Sequence, residues 1–216
     1  MSLVLHGYWR SSCSWRVRIA LAHKGIAVEH HPVNLLQGEH REDSFRALTP
    51  ATRVPVLEDR GSDPVLRLSE SMAILEWLEQ RWPKPPLLPE EPSARARVRQ
   101  VALHVASAIQ PLQNVGLLAQ LREVGVDARA FAAARIAEGL TRLEAMLTDH
   151  EGPFACGPAP TFADVCLVPQ LYNARRFDVA LDCFPRLLAA EAACERLPAF
   201  VKAHPDQQPD RPRTAS

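Results

Sequence analysis

Arg10 to Arg16 reads R-S-S-C-S-W-R, two hydroxyls and a thiol side by side directly ahead of an apolar helical pattern. Ser11, Ser12 and Cys13 are each candidates for chemistry. A nucleophilic serine needs a base in reach; His6, His23, His30 and His31 qualify by residue type alone, and no G-x-S-x-G elbow surrounds the serines. A serine ahead of a helix also serves as an N-cap. A strand-turn-helix setting adds a third use, because a helix N-terminus offers free N–H groups and partial positive charge to an anion. Cys13 has the same two sides: a thiolate favoured by that terminus, or a buried inert thiol, since it falls on the apolar stripe.

Four further stretches carry polar chemistry. Val54-Pro55 precedes a short apolar run, where proline removes a ladder donor. A cis bond there would offer the Val54 backbone to a peptide-like ligand, and an ordinary edge or turn proline is the other reading. S-E-S at 69–71 opens another apolar helical run. Ser69 or Ser71 would cap it, or Ser71 would hold a carboxylate and Glu70 an amine. Q-P-L-Q-N at 110–114 places amides in an apolar helix, where they need either a ligand groove or a buried network. Arg175 and Arg176 close the run L-V-P-Q-L-Y-N-A; arginines there are solvated surface or a carboxylate clamp. T-F-A-D at 161–164 is different, a capping box in its acidic variant with Pro160 and Val165 as staple, and it reads as structure.

These residues need elements to hold them. Short apolar runs at 3–6 and 54–57 predict buried strands, V-E-H-H-P-V at 28–33 and V-L-R-L at 65–68 are read as two more, and Ser12 to Lys24 predicts a helix stopped by Gly25. The order β-α-β-(α)-β-β-α predicts a small sheet carrying helices. Five prolines between Trp82 and Pro92 cannot continue a helix and mark a linker. Beyond it the chain predicts helices to about Ala203, kinked at Pro111, and a loose tail from His204. The predicted units are 1–82, a linker at 83–92, and an all-helical 93–216. With 25 basic and 25 acidic residues, nothing favours a nucleic-acid or anionic-membrane partner. Five widely spaced cysteines form no C-x-x-C, which argues against a metal site or disulfide framework. With no leader-like N-terminus and no long apolar run, the expected location is cytoplasmic.

S-S-C-S-W-R-V-R-I-A-L-A-H-K-G-I, F-R-A-L-T-P-A-T-R-V-P-V-L, S-E-S-M-A-I-L-E-W-L-E, I-Q-P-L-Q-N and C-L-V-P-Q-L-Y-N-A-R-R-F together resemble the zeta class of glutathione transferases. That class includes maleylacetoacetate isomerases and the similar maleylpyruvate isomerases. The resemblance implies a thioredoxin-like α/β N-terminal domain, an all-α C-terminal domain and a homodimer. It implies glutathione as cofactor and glutathione-dependent cis–trans isomerisation of a keto-diacid, with general transferase activity as a broader version. A non-enzymatic binding protein on the same fold is the contrasting expectation. By the same resemblance Ser11, with Ser12 and Cys13 beside it, activates the glutathione thiol. His40, Val54, a cis Pro55, Glu70, Ser71, Gln110, Asn114, Val115 and Gly116 line the glutathione site, and Arg10 and Arg176 hold substrate carboxylates. Arg53, His40 and Glu70 stand where the family often has glutamine.

Overall fold

A computed structural model describes residues 3–148 and 151–212. The chain forms two compact units, one running to Pro86 and taking back the segment from Leu197, the other Leu87–Arg196.

The first unit is built on a four-stranded sheet: β1 (Leu3–Gly7), β2 (Glu29–Pro32), β3 (Val56–Asp59) and β4 (Leu66–Ser69), in the order β2-β1-β3-β4. β2 runs parallel to β1, while β1–β3 and β3–β4 are antiparallel. Helices α1 (Ser12–His23), α2 (Asp43–Arg46) and α3 (Ser71–Arg81) complete the predicted order. Side chains alternate across the sheet. Leu5 and Leu57, opposite each other in the register, share one face; His6 and Val56 share the other, where Val56 joins Val33 and Phe45. α1 packs on α3. Lys24, just past α1, is buried against Glu79 of α3 at 2.7 Å and donates to the carbonyls of Trp82 and Pro85.

Two sequence expectations change here. The sequence places the segment from Leu197 in the helical domain, yet its helix α9 (Pro198–Ala203) packs on α1. The polar composition of the tail from His204 predicts a loose segment. Among its described residues, Pro205–Gln207 form a 3-10 turn, and the Asp210 carboxylate accepts the Trp9 N–H at 2.8 Å. A buried arginine explains both. Arg18 donates to the carbonyls of Ala203, Tyr8 and Trp9, tying segment to sheet. Burial brings its pKa down to about 10.

The second unit holds α4 (Pro92–Leu103), α5 (Val115–Glu123), α6 (Ala128–Met146), α7 (Phe162–Arg176) and α8 (Pro185–Cys194). α7, buried almost all round, packs against α4 and α8. The kink predicted at Pro111 is a wide turn of π-helix at 104–109 followed by a 3-10 turn at 110–113. Ile109 reaches α6 at Gly139, where an added Cβ would overlap its side chain. No helix among the described residues is long and apolar enough to cross a membrane.

His6, His23, His30 and His40 all sit below the ordinary histidine value, with burial the largest cause in each. The unfolded chain therefore binds protons that the folded chain resists. This contribution to stability is complete above the unfolded value of 6.5 and is lost as pH falls below it. Urea unfolding should show a lower midpoint at pH 5.5 than at pH 7.5, roughly spanning the ordinary histidine value. An equal midpoint would contradict it.

Candidate active site

The sheet register gathers most of the predicted site at one end. His6 pairs with Val56, and Val56 with Ser69, so the exit of β1, the entry of β3 and the exit of β4 coincide. Immediately beyond lie Ser11 at the start of α1, Val54-Pro55, and Glu70-Ser71 at the start of α3. The β3–β4 pairing ends at Val56↔Ser69, so Val54 and Ser71 each lie two residues beyond that last pair. Two helix N-termini thus begin at this sheet end, and both favour negative charge.

Ser11 is the N-cap of α1, in extended conformation, and its Oγ accepts the Ser14 N–H at 3.2 Å. That bond uses a lone pair and leaves the hydroxyl proton to donate. Capping and ligand donation are therefore compatible in one side chain. Ser12 is buried as the first helical residue. Cys13 lies only half-buried, not sunk in the apolar stripe, because the first turn of α1 faces the sheet end. Its Sγ receives an N–H from Arg16 at 3.9 Å. Arg10 stacks over the Trp9 ring at 5.2 Å.

Val54-Pro55 is cis. Neither Ser69 nor Ser71 caps α3: the N-cap position belongs to Glu70, at φ 69, and Ser71 is the first helical residue. A non-glycine residue at positive φ is a strained backbone, and such outliers concentrate at ligand sites. The turn leaves the Glu70 carboxylate exposed and the Ser71 hydroxyl buried. Ser71 Oγ accepts from Arg16 Nη1 at 3.3 Å. The residue type of Arg16, within a helical run, gives no sign of this contact.

His40 sits apart, in a 3-10 turn between β2 and α2, with Nδ1 buried and unpartnered. No hydrogen bond among the described residues joins it to Ser11, Val54 or Ser71.

The remaining candidates belong to the second unit. Gln110 Nε2 donates to Asn114 Oδ1 at 2.7 Å, and Asn114 stands at the N-cap of α5 without capping it. Val115 and Gly116 follow, exposed, with Val115 at 64%. Gln113 pairs instead with Gln170 of α7 at 2.7 Å in the interior. The two alternatives for Q-P-L-Q-N are thus divided between its amides: Gln113 builds a buried network, while Gln110 and Asn114 stay accessible. Arg176 ends α7, exposed, donating to Asn173 Oδ1 at 2.8 Å and lying over Phe177.

Residues 10–81 match the glutathione S-transferase N-terminal domain family and residues 126–203 its C-terminal domain family. The maleylacetoacetate isomerase of Pseudomonas aeruginosa is 45% identical over 214 residues, covering 96% of this chain and 98% of that protein. A crystal structure of maleylacetoacetate isomerase from Anaeromyxobacter dehalogenans, with glutathione in its active site, superposes with a TM-score of 0.90 at 49% identity, covering 98% of each chain. The holo structure of a maleyl pyruvate isomerase, described as a bacterial zeta-class glutathione S-transferase, gives 0.91 at 42% identity over 96% of this chain and 99% of its own. On its sheet-end site, its two domain matches and these relatives, the chain belongs to the glutathione S-transferase family, in its zeta class.

Proposed function

We propose that this chain isomerises maleylacetoacetate to its trans isomer, with glutathione as the catalytic thiol. The observation that carries the reading is Ser11: a capping serine whose hydroxyl proton remains to donate, at the same sheet end as Ser71 and Val54. The residues present suit the tripeptide. Ser71 and the α3 N-terminus suit its glutamyl carboxylate, the exposed Glu70 its ammonium, and the Val54 backbone its amide. Buried Arg16 keeps Nε and Nη2 without partners, as expected of a chain that receives an anionic ligand.

When bound, glutathione supplies a thiolate that adds reversibly to the double bond, so that the bond rotates before the thiol is eliminated unchanged. What the chain must do is stabilise sulfur as thiolate near neutral pH. Lowering a thiol from about 8.5 to roughly 6.5 takes about 2.7 kcal/mol. A helix N-terminus contributes about 0.3–1 kcal/mol, reaching ~2 when partly buried. A hydrogen bond to a charged group contributes about 1.5–3 kcal/mol. The α1 terminus and the Ser11 hydroxyl together reach that sum, and neither needs a base nor a covalent step on the protein. Arg10 and Arg176 are the proposed holders of the substrate carboxylates, and a homodimer is the proposed assembly.

Maleylpyruvate is the second reading, favoured by the 42% identical maleyl pyruvate isomerase. It presents the same enone and carboxylates. Parallel assays with both keto-diacids separate the two: faster turnover of maleylacetoacetate supports the first reading, and faster turnover of maleylpyruvate replaces it with the second.

A further inference from the structure

α1 carries two arginines, Arg16 and Arg18, and both are buried. They differ in what surrounds them. Arg18 spends its three nitrogens on the carbonyls of Ala203, Tyr8 and Trp9, with Asp210 nearby, and its work is structural. Arg16 is 1% exposed, and only Nη1 finds partners, the Ser71 hydroxyl and the Cys13 sulfur. Nε and Nη2 are buried without an acceptor, and no carboxylate pairs with it among the described residues. A buried guanidinium with no counter-anion is expensive to keep. Its position makes sense of the cost. Nη1 touches the first turn of α1 through Cys13 and the first residue of α3 through Ser71. The charge therefore stands between the two helix N-termini at the sheet end and adds to the field of both.

We propose that Arg16 is a positioning residue for the isomerase, the fixed positive charge that sets how much of the bound thiol is ionised. This deepens the glutathione reading above and rests on it. By donating to Ser71 Oγ, Arg16 occupies that oxygen and leaves the Ser71 proton to a ligand carboxylate. By lying beside Cys13, it places its charge against the first turn of α1, the turn that Ser11 caps. When the thiol ionises its proton leaves to solvent.

The test titrates the ultraviolet thiolate absorbance of glutathione bound to wild type, Arg16→Gln and Arg16→Lys, with binding measured first by calorimetry. Failure of wild type to bind glutathione would remove the functional reading itself; the comparison between variants tests Arg16. The glutamine variant should raise the thiol midpoint by about 1 unit. Its turnover should fall roughly threefold at pH 7, as the ionised fraction falls, and recover as pH rises past the new midpoint. The lysine variant, with its charge kept but drawn back, should lie between the two. A folded glutamine variant with the wild-type midpoint, however much its Tm falls, would make Arg16 purely structural and overturn the proposal. Should the glutamine variant not fold, the lysine variant decides: a raised midpoint supports the proposal, and an unchanged one overturns it.

Discussion

Ser11→Ala should cut turnover roughly 10- to 150-fold, the loss of one hydrogen bond to a charged group, about 1.5–3 kcal/mol. The same substitution removes an N-cap, because Ser11 Oγ also accepts the Ser14 N–H. Stability should therefore fall by about 1 kcal/mol. Ser11→Asp separates the two roles. Its carboxylate can accept the Ser14 N–H and favours a helix N-terminus, so stability should stay near wild type. It has no proton to give a thiolate and adds a like charge, so turnover should fall at least as far as in Ser11→Ala. Wild-type turnover in either variant would move the donor role to Ser12 or Cys13. Turnover that fell only in proportion to folded protein would reduce Ser11 to a cap.

The largest loss of stability should come from Asp164→Ala, about 3–5 kcal/mol. Asp164 is 0% exposed at the start of α7, and its two oxygens accept four hydrogen bonds. Oδ1 takes the Ala155 N–H at 2.8 Å and the Cys194 thiol at 3.8 Å, and Oδ2 takes the Thr161 N–H at 2.8 Å and hydroxyl at 3.0 Å. Thr161 reciprocates by capping the Ala163 N–H. Burial pushes the Asp164 carboxyl above its ordinary value even against those bonds. Alanine would strand two buried N–H groups and an O–H at the head of the helix around which the second unit packs. Thermal melting should drop by roughly 10 °C, at about 2–4 °C per kcal/mol for a chain of this size. A drop of only a degree or two would mean that water or a neighbouring group satisfies those donors.

What could be read from the residues was local or periodic. The capping box at Thr161–Asp164 is visible because its partners are three residues apart, and the structure reproduces it. β1, β3 and α1 follow from their apolar patterns, while β2 is polar and exposed, and Val54-Pro55 is cis as the family resemblance implies. The misses share a cause, since long-range partners leave no trace in local composition. Arg16 sits among Trp15, Val17 and Ile19, where a charge breaks the apolar run, and that interruption was the available signal. Its meaning depends on Ser71, 55 residues away. The polar tail looked loose because its anchors, Trp9 and Arg18, lie at the other end of the chain. Pro111 signalled a kink, but its form as π-helix followed by a 3-10 turn depends on the packing of Ile109 at Gly139.

In the proposed reaction the reacting sulfur belongs to glutathione, and none of the five cysteines replaces it. The most direct measurement follows isomerisation of maleylacetoacetate by the purified chain, with and without glutathione, while counting the free thiol at the end. Turnover that requires glutathione and returns all of it unchanged is the predicted result. Turnover without glutathione, or one thiol consumed per product formed, would contradict the account.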